Sequence, residues 1–336
     1  MSKKPFQHFT LPLLTLFAGL LLAPVAQSDV SGRKDVQSFI DNMVKEHNFK
    51  RDELVKIFKK VKTDDSIIDA ITRPAEAKPW YEYRPIFLTN TRIREGVKFW
   101  RKNAIHLQRA YEEYGVAPEI IVAIIGVETR YGKYKGRHPV MTSLTTLAFD
   151  YPQRGSFFKS ELEEFLLLAR EEKADPFSFK GSYAGAMGKP QFIASSYRQY
   201  AVDFDGDGKR DLIHSTVDTI GSVANYFARH RWHKDEPIAR PAKVNGSSYK
   251  KIVEQGIKPH ITLGKLLSSG IEIDTQQSPA LETSLIELEL KKGKEHWVGF
   301  HNFYVITRYN HSELYAMAAY QLAREIIRFR FVGPRK

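Results

Sequence analysis

Apolar residues recur at intervals of three and four along most of this chain, the spacing that lines them up on one side of a helix. Val36, Phe39, Ile40, Met43 and Val44 form one such stripe and predict a helix over 36–49, with a second following directly over 52–62. After a turn-rich stretch at 73–79, Ile93, Val97, Trp100, Ala104, Leu107, Tyr111 and Tyr114 predict one long helix with a buried seam. Pro118 then opens a helix that is apolar almost all round, through Ile120, Ile121, Val122, Ala123, Ile124, Ile125 and Val127, and Gly132 suits its C-terminal cap. A helix without a polar face belongs in the centre of a domain. Ser156 can cap a helix running to about residue 173, Ser215 or Thr216 another through Phe227, and Ser312 a last one through Leu322.

The period changes in the last third. Residues 234–259 are rich in Pro, Gly and Ser, which marks a boundary or insertion. Beyond them Ile286, Leu288 and Leu290 alternate with Glu287 and Glu289, and Lys291-Lys292-Gly293-Lys294 can turn the chain into a second strand near Trp297. The fold expected is therefore mainly α, in the α+β sense. A helical body covers 29–233, a small strand-containing subdomain is inserted over 234–311, and a helix over 312–336 returns to the body. A chain of 336 residues with 42% hydrophobic content can bury a real core, which excludes disorder of the whole.

Composition adds a compartment. Lys3 and Lys4, the apolar stretch 11–22 and the small-x-small site Ala26-Gln27-Ser28 read as a signal peptide over 1–28, with the mature chain beginning near Asp29. Pro12, Thr15 and Gly19 interrupt the stretch, which is short for a membrane anchor, so no transmembrane span is expected after cleavage. With no cysteine the chain has neither disulfides, nor a thiol nucleophile, nor a lipid-attachment site, and a soluble, monomeric periplasmic protein follows. The net charge of +12 falls to +10 when Lys3 and Lys4 leave. Such an excess draws the protein toward polyanions, and export argues against nucleic acid as the natural one.

Glu128 ends the apolar helix, with Ile125 and Ile124 three and four positions back and Tyr131 three ahead. Its carboxyl faces carbon and lies at the partially negative helix end, two effects that both oppose ionisation. An acid kept protonated near neutral pH is what cleavage of a glycosidic bond demands of its general acid. Spacing alone favours a different reading, a helix-end glutamate paired with Arg130 or Arg137, so something beyond the helix must decide.

The run Gly126-Val127-Glu128-Thr129-Arg130-Tyr131-Gly132 resembles the catalytic signature of the lytic murein transglycosylase B family. The run from Gly181 to Ile193, Gly-Ser-Tyr-Ala-Gly-Ala-Met-Gly-Lys-Pro-Gln-Phe-Ile, resembles the family's substrate-groove motif, and that from Asn302 to Asn310 its late motif. Three motifs in the family's order, within a likeness over 36–331, are far more specific than any one of them. The resemblance implies a lysozyme-like helical fold, peptidoglycan glycan strands as substrate, and cleavage between N-acetylmuramic acid and N-acetylglucosamine without water. It implies Glu128 as acid and then base, leaving a 1,6-anhydro end, with no cofactor for the chemistry. Ser182 and Gln191 become ligand contacts. Tyr226 and Tyr304, and after them Tyr83 and Tyr309, become candidates to stack on sugars, and Arg154 a contact to a peptide or lactyl carboxylate, although Gln153 stands where the family carries a second arginine. Cell-wall synthesis or division complexes are the further partners implied.

Asp203-Phe204-Asp205-Gly206-Asp207-Gly208 sets carboxylates at positions one, three and five and glycine at six of an EF-hand-like loop over 203–214. Lys209 would add its backbone carbonyl, position twelve is His214 in place of glutamate, and Asp218 can reach in instead or close a capping box with Ser215. Asp211 is a further candidate. The expected ion is structural, Ca2+ or Na+. Two rival functions remain: a hydrolytic muramidase on the same scaffold, and a non-catalytic calcium-dependent wall-binding module, since the loop also resembles one repeat of a dockerin.

Overall fold

The structure, a computed structural model, describes residues 29–73 and 78–333. The expected signal peptide lies outside the described residues. Amphipathic stripes build α1 (Lys34–His47), α2 (Arg51–Lys60) and α3 (Asp65–Thr72), followed by α4 (Trp80–Phe87). The body continues through α5 (Asn90–Lys102), α6 (Ala104–Tyr114), α7 (Pro118–Thr129), the short β1 (His138–Pro139), α8 (Val140–Asp150) and α9 (Gly155–Glu171). Then come β2 (Lys180–Gly181), which pairs with β1, and α10 (Ala194–Tyr200) and α11 (Thr216–Arg229). The sheet-bearing unit holds β3 (Ala239–Val244), α12 (Tyr249–Val253), β4 (Ile261–Thr262), α13 (Leu263–Ser268), β5 (Ile271–Glu272), β6 (Glu282–Glu289) and β7 (Lys294–Gly299). The chain returns through α14 (His301–Tyr309) and ends on α15 (Glu313–Phe331).

Helix α7 is the hub. Every residue from Ile120 to Ile125 is fully buried, so it can satisfy its surface only from all sides, and α5, α6, α11 and α15 pack around it. Ser215 and Ser312 cap α11 and α15 as the sequence suggests, accepting the amides of Asp218 and Tyr315.

Four expectations change. The long helix is two, because Asn103 leaves helical geometry (φ −115°, ψ 21°) and its side-chain amide donates to Phe99 O at 2.8 Å, competing with the backbone ladder. Gly132 is not the cap of α7: Arg130 and Tyr131 turn left-handed before it, at φ 49° and 60°. Tertiary contacts hold them there, since the Tyr131 amide donates to Ile125 O, its hydroxyl to Arg92 O, and its ring lies where a Cβ on Gly126 would approach within 2.7 Å. Ser156 sits inside α9, which starts one residue earlier from a turn at 151–154, with Arg154 at its cap position. The last strand of the inserted unit ends at Gly299, twelve residues before the expected 311, and Phe303, Val305 and Ile306 of α14 already belong to the main core.

The five-stranded sheet is antiparallel throughout, in the order β4-β6-β7-β3-β5, with Leu285 opposite Val298 and Ile286 opposite Trp297. Alternation along β6 is real, but both faces are covered. Leu285 joins Val298, Leu263, Leu266, Ile252 and Ile271 in a small core of the unit, while Ile286 and Leu288 face the main core. The sheet is thereby cemented to the helical body.

Candidate active site around Glu128

The three sequence runs meet at the C-terminal end of α7. Thr129 Oγ1 donates to Lys189 O at 2.8 Å and accepts the Gly132 amide at 3.0 Å, which ties the helix end to the glycine-rich run. Tyr309 OH donates to Pro190 O at 2.6 Å, tying the same run to α14. Gly188 is required here: at φ 72° an added Cβ would lie 2.5 Å from Leu212 O.

Glu128 stands in this junction among buried residues. Its Oε1 accepts the Tyr315 hydroxyl at 2.5 Å, and burial pushes its carboxyl up from 4.5 to about 7, with the tyrosine bond pulling weakly the other way. The pairing with Arg130 does not occur. That guanidinium turns to Glu95, with Nε to Oε2 at 2.6 Å, and Glu95 also takes Lys133. Tyr309 lies parallel to Tyr315, ring centroids 6.4 Å apart, and the hydroxyls of both are pushed well above their ordinary value by burial and by the nearby Glu128. These phenols therefore stay neutral and serve as donors. Tyr315 is the residue that the sequence left unmarked. It sits at the first turn of the last helix, 187 positions from Glu128, and within an apolar stripe it is indistinguishable from a core tyrosine.

The other expected contacts separate. Tyr83 lies close enough to Tyr315 to affect its ionisation, and it stacks on Trp80 with centroids 6.4 Å apart. Ser182 Oγ accepts the amides of Ala184 and Ala186, and Gln191 Nε2 donates to Gly188 O and Lys135 O, so both side chains shape the glycine-rich turn. Tyr226 is not an open stacking face. It is 7% exposed, its hydroxyl donates to Arg308 O, and its ring is wedged among Phe192, Tyr200, His230 and Tyr309, because α11 turns this side inward. Tyr304, one helical turn before Arg308, is half-buried and lines a separate cavity. Arg154 is exposed and stacks over Phe157 at 4.5 Å, with no contact to the Glu128 cluster.

The aspartate loop folds around its own amides. Asp203 accepts those of Gly206, Asp207 and Gly208, and Asp218, fully buried, accepts those of Phe204, Asp205 and Asp211. Asp203, Asp205 and Asp218 each bring an oxygen within 4.8 Å of the others, a donor set that fits a hard cation. Asp207 stands outside this group, its carboxylate bonded to the Lys209 amide, and Asp211 instead holds the amides of Ile213 and His214. The loop reaches the active site through Lys189, whose amide donates to Leu212 O and whose ammonium donates to His214 O.

Comparison with known proteins agrees over nearly the whole chain. A family model for the transglycosylase SLT domain matches residues 31–324. Membrane-bound lytic murein transglycosylase B of Escherichia coli strain K12 is 43% identical over 323 residues, 92% of this chain and 88% of that protein. The crystal structure of soluble lytic transglycosylase SltB1 from Pseudomonas aeruginosa superposes with a TM-score of 0.84 at 50% identity, covering 88% of this chain and 99% of that one. Slt35 of Escherichia coli, solved in complex with calcium, gives 0.81 at 42% identity over 90% and 96%. The chain thus belongs to the transglycosylase SLT domain family and is a lytic transglycosylase of murein.

Proposed function

We propose that Glu128 alone performs both proton transfers of a non-hydrolytic cut between N-acetylmuramic acid and N-acetylglucosamine. The carrying observation is its carboxyl, held near pH 7 by burial and bonded to the Tyr315 hydroxyl. As the bond from C1 to the leaving oxygen breaks, neutral Glu128 gives its proton to that oxygen. The resulting carboxylate is steadied by Tyr315 and takes the proton of the muramic acid C6 hydroxyl, whose oxygen closes on C1. Glu128 ends protonated as it began, and no water is consumed. A hydrolase would use a second carboxylate to direct water or attack the sugar; within hydrogen-bonding reach of Glu128 the partner is a phenol.

Tyr309 is assigned to the sugar beside the scissile bond and Tyr83 to the wall behind Tyr315, while Ser182 and Gln191 hold the turn against which the glycan lies. Asp203, Asp205 and Asp218 would hold a structural Ca2+ or Na+, completed by the Lys209 carbonyl. Its role there is to neutralise three carboxylates and stiffen the loop that Lys189 fastens to the active site. The enzyme is assigned to the periplasm, as a monomer acting on glycan strands, with wall-synthesis or division complexes as further partners. Among the described residues no helix is long and apolar enough to cross a membrane.

Mass spectrometry of purified peptidoglycan digested by wild type and by Glu128→Gln tests this reading. Anhydro ends from the wild type, absent from the variant, are expected. Reducing ends would establish the hydrolytic muramidase instead.

A further inference from the structure

A cavity of about 410 Å³ opens where the end of α11, the face of α14 and the edge of the sheet-bearing unit converge. Arg229, Arg231 and Arg308 enter it from the helical body and Lys258 from the inserted unit, against the single carboxylate of Glu282. Among the described residues none of these four cations forms an ion pair. Placement at a helix C-terminus explains two of these basic side chains, Arg229 in the last turn of α11 and Arg308 in that of α14. It does not explain four cations on three segments of chain facing one hollow, where mutual repulsion opposes their assembly.

The hollow adjoins the active site. Tyr226 donates to the backbone of Arg308 at 2.5 Å, stacks on His230 of the cavity wall with centroids 4.1 Å apart, and meets Tyr309 edge to face at 4.8 Å. Tyr309 in turn lies beside Glu128. Tyr226 and Tyr309 thus stand in succession between Arg308 and the acid, and Tyr304 lines the cavity.

We propose that this cavity is a carboxylate-binding subsite that receives the ionised peptide stem of the glycan strand cut at Glu128. It rests on the proposed function for its substrate, and it gives the inserted sheet a purpose, since that unit supplies the wall carrying Lys258. Guanidinium groups in a partly enclosed hollow suit carboxylates because charge-assisted, two-pronged bonds form there with little competition from water.

The test measures binding by calorimetry in a Glu128→Gln background, which keeps the strands uncut. The probes are stem-bearing glycan strands and the same strands with their stem carboxylates converted to amides. The intact cavity is expected to bind the native strands about tenfold more tightly than the amidated ones. With Arg229→Gln and Lys258→Gln added, the preference disappears; with Arg229→Lys and Lys258→Arg added, which keep the charges, it persists. Equal affinity of the intact cavity for both strands overturns the proposal, as does an undiminished preference in the charge-removed protein. Product analysis with unmodified enzyme is a separate experiment, so failure of the reading at Glu128 would be seen there and not in these affinities.

Discussion

Glu128 and Asp218 are carboxyls that burial drives toward the neutral form, yet they sit at opposite ends of helices and meet opposite treatment. Asp218, in the first turn of α11, accepts three backbone amides at 2.8 to 3.1 Å and lies at the partially positive helix end. Glu128, in the last turn of α7, receives one phenolic hydroxyl and lies at the negative end. Withdrawal from water is common to both; what differs is the supply of donors. A carboxyl surrounded by amides is equipped to stay charged and hold a loop or an ion, whereas one with a single weak donor is equipped to pass a proton back and forth.

The comparison breaks most severely at Glu128. Glu128→Gln is expected to lower anhydro-product release by about 10³-fold or more, while the fold survives. Its stability carries a signature. The folded pKa of about 7 lies above the ordinary 4.5, so the stability of wild type is complete below pH 4.5, declines as pH rises toward 7, and stays reduced beyond. The glutamine variant escapes this loss and should gain up to about 3 kcal/mol over wild type above pH 7, with no gain at pH 4, in denaturant titrations. Equal gains at both pH values would remove the case for a neutral acid.

Next in size, Asp218→Ala leaves three amides without acceptors and should cost about 3 kcal/mol in urea unfolding. Added calcium should raise the melting temperature of the wild type and leave that of the variant unmoved. A variant that calcium still stabilises would place the ion elsewhere. Tyr315→Phe comes third. Losing a donor that favours the carboxylate raises the Glu128 pKa further, so the alkaline limb of kcat/KM should move to higher pH by about half a unit, with activity at neutral pH down about tenfold. A limb that moves to lower pH would contradict the assignment of donor and acceptor. The smallest effect belongs to Tyr226→Phe, expected to cost about 1 kcal/mol of stability through the lost bond to Arg308 and to change kcat less than twofold. A large fall in kcat would return Tyr226 to the sugar contacts.

Much of this was legible from residue spacing, since period, capping serines and an all-apolar run are local signals. The hairpin of β6 and β7 emerged from alternation and a charged turn, and α7 from its lack of a polar face. The break at Asn103 was hidden because apolar spacing continues unchanged across it, and only a side-chain bond to Phe99 separates α5 from α6. The left-handed turn at Arg130 and Tyr131 was credited to Gly132 because what holds it is the contact of Tyr131 with Gly126 and Arg92, which spacing does not encode. Tyr315 was missed and Tyr226 over-read for one reason: a tyrosine's role depends on what its hydroxyl reaches, and both partners lie far along the chain. Asp207 was grouped with the cation ligands on loop position alone, but its carboxylate folds back onto the Lys209 amide.

Placing the phenol that meets Glu128 on the final helix has a consequence for biosynthesis. A chain interrupted before α15 has neither the partner hydroxyl of Glu128 nor the helix that packs on α7 beside the acid. Activity against the wall is thus expected to depend on the docking of α15, a safeguard by which chains lacking that helix stay inactive. A shortened chain ending before Glu313 that still released anhydro-muropeptides would refute this safeguard.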